Sequence, residues 1–228
     1  MNPLPSRSPK ASPALPQARG GESAHNLSTL HEVELRPEYR RILEQVAPGA
    51  AGPEPWRRRK LAAAHELLAL AQISQRLLIQ MLDLTEAFRT AFTLQMPVPC
   101  RDGETGPLRV APAAVLGLTY RQEAMLSAQP GYSFIEILGP RNVFHANVAS
   151  SSQPPGAQLL CLGPKLPPNI QLVDLVLMAY TAISLQTIQF SLVDPAGVLN
   201  PAAARWFQAN PSHIPLTRDP FLSPKEAA

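Results

Sequence analysis

The chain is predicted to be an α+β protein: a long N-terminal helix, an antiparallel sheet and C-terminal helices. Three observations carry that expectation. An apolar stripe recurs at steps of three and four residues in the first half. Two segments in the middle alternate apolar and polar residues between proline- and glycine-marked turns. Two helical patterns then close the sequence, so strands and helices are segregated along the chain. With 228 residues and a hydrophobic fraction of 45%, the chain can build one substantial core plus tails.

The elements follow in order. Residues 1–27 carry Pro3, Pro5, Pro9, Pro13 and Pro16 among Ser, Ala and Gly, the composition of a disordered tail. Residues 28–54 hold a short helix and a linker. Pro37 suits a first helical turn, Tyr39, Ile42, Leu43 and Val46 share one face, and residues 48–53 are the linker. The main domain is expected over residues 55–210. From Trp56 to Met96 there is neither proline nor glycine. Leu67, Leu70, Ile73, Leu77, Met81, Leu84, Phe88 and Phe92 then form one stripe, which predicts a single long helix with Met81 and both phenylalanines in the core. Pro97 and Pro99 are expected to stop it.

Residues 98–109 read as turn-rich, residues 115–125 and 132–138 as strands separated by Pro130 and Gly131, and residues 149–157 as a polar loop. A buried helix is expected over residues 171–184. A last helix over 202–209 has Asn200 as its cap and Pro201 at its first position. Residues 211–228 are expected to form an extended tail, and no internal repeat is present.

Charge and cysteine usage exclude several classes. The excess of 20 basic over 17 acidic residues is only +3, and no motif interleaves Lys or Arg with aromatics, so no nucleic-acid partner is expected. The longest apolar run, residues 172–185, is broken by Asp174, Thr181 and Ser184 and is short of a bilayer span, so no membrane partner is expected either. No secretory pattern opens the chain, which points to the cytoplasm and reduced thiols. Cys100 and Cys161 sit in no CxxC or Cys/His cluster, so no metal or cofactor is expected; a disulfide between them stays open.

The chemistry concentrates in one stretch. His145 and Asn147 lie in Asn142-Val-Phe-His-Ala-Asn147-Val, and Cys161 follows in Leu159-Leu-Cys161-Leu-Gly163. A cysteine can carry an acyl group as a thioester, and an asparagine amide can donate to a developing oxyanion. Together they point to acyl transfer. The bland alternatives are a small buried hydrophobe for Cys161 and a turn-forming side chain for Asn147.

This order of elements resembles the ubiquitin-conjugating enzyme family, in the form found in bacterial ubiquitin-like conjugation operons. The resemblance spans residues 56–210 and rests on Phe144-His145-Ala146-Asn147-Val148, on Cys161-Leu162-Gly163, on Asp194-Pro195 and on the Asn200-Pro201-Ala-Ala helix start. Ala146 stands where the family's motif has proline, and the loop from Asn147 to Cys161 is longer than in typical members. The segment before the last strand is reduced to Gly139-Pro140, and the family's tryptophan beyond the cysteine is absent.

The resemblance implies that Cys161 takes the C-terminus of a ubiquitin-like protein from an activating enzyme and passes it to an amine on a target protein. It implies that Asn147 stabilises the oxyanion, that His145 supports the loop rather than acting as a base, and that Asp194 orients or deprotonates the incoming lysine. It also implies that Arg57, Arg58, Arg59 and Lys60 dock the activating enzyme. A turn at Asp194-Pro195 and a solvated basic face are the structural alternatives. Two other functions compete: a non-catalytic module of the same fold that binds a ubiquitin-like protein, and a cysteine hydrolase pairing Cys161 with His145 or His213.

Overall fold

A computed structural model of the chain describes residues 29–103, 105–150, 158–188, 190 and 197–222. Helix α1 is Pro37–Val46 and α2 is Glu54–Ile73. Strands β1 (Leu77–Asp83), β2 (Phe88–Arg101), β3 (Leu108–Tyr120), β4 (Ile135–Gly139) and β5 (Gln158–Leu160) follow, and helices α3 (Leu172–Ile183) and α4 (Pro201–Ala209) end the series. The five strands form one open sheet in the order β1-β2-β3-β4-β5, every neighbouring pair antiparallel. The architecture is therefore mixed α+β, with α2 and α3 contributing to the core that covers one sheet face. On the other face Leu78, Met81 and Leu138 are exposed.

The long helix expected over residues 56–96 is instead one helix and two strands. Helix α2 ends at Ile73, and the Ser74 hydroxyl accepts the Arg76 N–H at 3.1 Å as the chain turns. Leu77 and Met81 belong to β1, Phe88 and Phe92 to β2, and Leu84 lies in the turn between them. A step of four residues returns to the same face of a strand as well as of a helix, so the stripe satisfied both periods. In β2, Phe88, Thr90, Phe92, Leu94, Met96, Val98 and Cys100 are all buried, which is a period of two. Asp83 makes the turn by accepting from the Thr85 N–H and hydroxyl at 2.9 and 2.7 Å. Met81 is 46% exposed and not part of the core.

Pro97 and Pro99 do not stop a helix; both lie within β2. The register passes from Gln95↔Ala113 to Val98↔Ala111, so Met96 and Pro97 face Pro112 alone. Such a bulge suits prolines, which have no N–H to give to the ladder. Strand β3 starts earlier than expected, and its Ala114, Leu116, Leu118 and Tyr120 point into the core. Residues predicted as the end of that strand form a single helical turn, Glu123–Leu126. The closing helices fall where the sequence puts them, and the Asn200 side chain accepts the Ala203 N–H at 3.0 Å as a cap.

The basic cluster at the start of α2 splits. Arg57 and Arg58 are exposed and pair with Glu54, the latter at 3.5 Å. Arg59 donates to the Gln171 side chain at 2.6 Å and the Ile170 carbonyl at 3.1 Å, tying α2 to the start of α3. Lys60 is fully buried and presents nothing to a partner. Its ammonium donates to the Leu84 carbonyl and, at 2.6 Å, to the Thr85 carbonyl, and lies 5.4 Å from the Trp56 ring centre. Burial pushes its pKa down and nearby Asp83 opposes that shift. Lys60→Met keeps the stem but strips the donor from two carbonyls, so we expect a loss of roughly 1–3 kcal/mol in urea unfolding. Arg58→Met should stay within about 0.5 kcal/mol of the parent.

Both ends of the described chain pack inward. Leu30 and Leu35 are buried in the same core. Residues 211–222, expected as part of an extended tail, pack against the core: Phe221 is buried with its ring 5.3 Å from that of Tyr180. The Tyr180 hydroxyl donates to the Asp219 carbonyl at 2.8 Å, and Arg76 pairs with the Asp219 carboxylate at 3.2 Å. No helix among the described residues is long and apolar enough to cross a membrane.

Candidate functional site

The site is built where the chain leaves the sheet twice. Val148 pairs antiparallel with Leu160. On either side of that pair, the Cys161 N–H donates to the Asn147 carbonyl at 2.8 Å and the Ala149 N–H to the Leu159 carbonyl at 2.9 Å. Asn147 and Cys161 are thereby lateral neighbours, although a loop separates them in sequence. The buried Gln158 side chain fixes the approach. It accepts the Val143 N–H and donates to the Val143 and Ala149 carbonyls, each at 3.0 Å.

The segment after the cysteine is held just as closely. Gly163 has φ +141°, a conformation that favours glycine, and its carbonyl receives the Gly131 N–H at 3.2 Å. A Cβ on Gly131 would lie 2.2 Å from that oxygen, so only glycine permits the contact. The Cys161 thiol donates to the same Gly163 carbonyl at 3.2 Å.

His145 shapes the turn that carries Asn147. Its Nδ1 accepts the Asn147 N–H at 2.9 Å, and its Nε2 lies 2.8 Å from the Ala182 carbonyl, which only an N–H can satisfy. The ring is therefore neutral with its proton on Nε2, and burial pushes its pKa down to about 4. Both nitrogens are occupied, so His145 is a positioning residue and no base for Cys161. The Ala146 carbonyl accepts the N–H groups of Leu199 and Asn200 at 2.8 and 2.9 Å. The turn thus anchors the segment that leads into α4. Phe144 packs with Leu185, Ala203 and Phe207 in a second small core behind the site.

Cys161 and Asn147 line one cavity of about 420 Å³, together with Leu162, Pro164, Met178, Thr181 and Ile188. None of its described lining residues is charged. Cys161 is 5% exposed, and burial pushes its thiol above the ordinary value, offset in part by a backbone hydrogen bond at Gly163. The Asn147 amide donates across the cavity to the Gly197 carbonyl at 2.6 Å. The cavity has room for a small group next to the Cys161 sulfur, in largely apolar surroundings with the Asn147 amide in its lining.

Of the residues singled out in the sequence, His145, Asn147 and Cys161 come together. Asp194 lies outside the described residues, as do residues 151–157 of the intervening loop. His213 is packed against the Trp206 ring at 5.2 Å and is absent from the cavity lining. Cys100 and Cys161 are both free thiols. The sequence offers no sign of the Gln158 contacts or of the close approach of Gly131 to Gly163, because both depend on which distant backbone comes near. No protein-family model, curated protein or solved structure matches the chain.

Proposed function

We propose that this chain is a cytoplasmic conjugating enzyme of the ubiquitin-conjugating type, which carries a ubiquitin-like protein as a thioester on Cys161. The sulfur attacks the activated C-terminal carbonyl presented by an activating enzyme; the C–S bond forms, the bond from that carbonyl to the activating enzyme breaks, and the leaving group takes up the proton that the thiol gives up. A target amine then attacks the same carbonyl; the C–N bond forms, the C–S bond breaks, and the thiol is regenerated with a proton. The observation that carries this reading is the shared cavity of Cys161 and Asn147, whose described lining is uncharged, beside a neutral, doubly hydrogen-bonded His145. In such surroundings an entering lysine is biased toward its neutral, nucleophilic form by desolvation. Arg57 and Arg58 remain as the exposed part of the docking surface for the activating enzyme.

The test is a non-reducing gel after mixing the chain with ATP, an activating enzyme and candidate ubiquitin-like proteins. Wild type should form an adduct that thiol reductant removes. Cys161→Ser should form one that resists it, and Cys161→Ala none. If wild type forms no thiol-sensitive adduct with its cognate activating enzyme and carrier, the reading fails.

A second reading has one observation in its favour: the burial of Cys161 and the raised pKa of its thiol suit a binding module that never loads a carrier. It predicts carrier binding with no adduct. The hydrolase reading lacks an available imidazole, since both nitrogens of His145 are engaged and His213 stands against Trp206.

A further inference from the structure

We infer that the concavity between the β2–β3 turn and α4 is a docking site for an acidic segment of a partner protein. It encloses about 460 Å³ and is lined by Arg101, Thr105, Phe144, Ala202, Arg205 and Trp206. The Arg101 guanidinium lies 5.0 Å from the Phe144 ring centre and 5.5 Å from that of Trp206. Its Nε donates to the Gly106 carbonyl at 2.5 Å, which fixes the plane of the group. Neither Arg101 nor the exposed Arg205 meets a carboxylate among the described residues. The neighbouring Asp102 is taken by Arg109 and Asn142 instead.

Two cations that meet no carboxylate among the described residues, beside an aromatic wall, are complementary to carboxylates carried on an apolar stem. A guanidinium already stacked on rings loses little freedom when it grips a carboxylate with two N–H groups. The half-buried Trp206 supplies the apolar contact that such interfaces use for affinity, with the buried Phe144 behind it holding the Arg101 guanidinium. The concavity is an open surface hollow between a turn and a helix, so it suits a stretch of chain. Its location adds meaning. Phe144 precedes His145, and α4 follows the segment bonded to Ala146, so a partner seated here rests on both segments that build the Cys161 site. The docking itself does not depend on Cys161 chemistry.

The probe is a short fluorescein-labelled peptide alternating Glu with Leu, followed by fluorescence anisotropy with the full chain. Wild type should bind it, with affinity falling as salt rises, and should not bind the Gln-for-Glu counterpart. Arg205→Glu should weaken binding roughly tenfold or more, and because the exposed Arg205 makes no hydrogen bond or ion pair among the described residues, its melting temperature should stay close to wild type. Arg101→Gln should weaken binding as well, whereas Arg121→Glu, on an exposed turn elsewhere, should not. Absence of binding to wild type, or equal affinity in Arg205→Glu, overturns the proposal. So does a single-stranded oligonucleotide of equal charge that binds more tightly through the same two arginines.

Discussion

Asn147→Ala should slow discharge of a Cys161 thioester to free lysine by about 10²–10³, while the rate of loading changes by no more than a few-fold. The asymmetry follows from how charge arises: in loading a thiolate already carries the charge that moves onto the carbonyl oxygen, whereas a neutral amine creates it. Attack of an amine on the thioester places new negative charge on the carbonyl oxygen, in the cavity that the Asn147 side chain lines together with Cys161. In the resting structure that amide holds the Gly197 carbonyl at 2.6 Å, so it also ties the segment leading to α4. Removing it leaves a buried acceptor without that donor, at a cost of roughly 1–3 kcal/mol. A purely structural Asn147 would therefore show as a lower melting temperature with loading and discharge falling together. An oxyanion-stabilising Asn147 shows as a selective loss of discharge at a temperature well below the variant's melting point. Single-turnover measurement of both steps on the same preparation separates the two.

The site was more legible in the sequence than the first half of the fold, and the physical reason is locality. His145 and the Asn200 cap each meet a backbone N–H two or three residues away, so the residue types alone point to those contacts. Cys161 needed one further step, the pairing of Val148 with Leu160, which a short apolar run after a polar loop already hints at. The stretch from Trp56 to Met96 offered no such punctuation. Its turn is made by an Asp83–Thr85 side-chain motif rather than by proline or glycine, and its apolar steps of four fit either period. In the structure every second residue from Phe88 to Cys100 is buried, with Thr93 and Pro99 buried as well, so even the strand period is blurred.

Long-range contacts account for what remained hidden. Lys60 stands next to three arginines in sequence and differs from Arg57 and Arg58 only in what folds over it. The carbonyls of Leu84 and Thr85 come from the β1–β2 turn, which the expected long helix did not contain. Missing the turn therefore meant missing the buried lysine. Phe221 is similar: its proline-punctuated surroundings read as a tail, and only the Tyr180 ring and the Arg76–Asp219 pair make it part of the core.

Acid should destabilise the protein through His145, by about 3 kcal/mol between pH 6.5 and pH 4. In the unfolded chain this imidazole takes up a proton as pH falls below 6.5, whereas in the folded chain it stays neutral down to about 4. Across that window the unfolded state binds more protons, so the contribution is fully present above pH 6.5 and is lost as pH falls through the folded value. The cause is geometric. The neutral ring accepts the Asn147 N–H at one nitrogen and meets the Ala182 carbonyl at the other, and a second ring proton would leave the Asn147 N–H facing a donor. Asp174, whose pKa burial pushes up, works in the opposite direction near the acid end of the window, so the measurement must be a difference. His145→Gln retains a donor for the Ala182 carbonyl and carries no titrating group. Its urea-unfolding free energy should start below wild type at pH 7, because the Asn147 N–H loses its acceptor, yet decline less steeply toward pH 4. Parallel pH profiles for the two proteins would mean that the imidazole is charged in the folded state, and the neutral turn that positions Asn147 beside Cys161 would have to be abandoned.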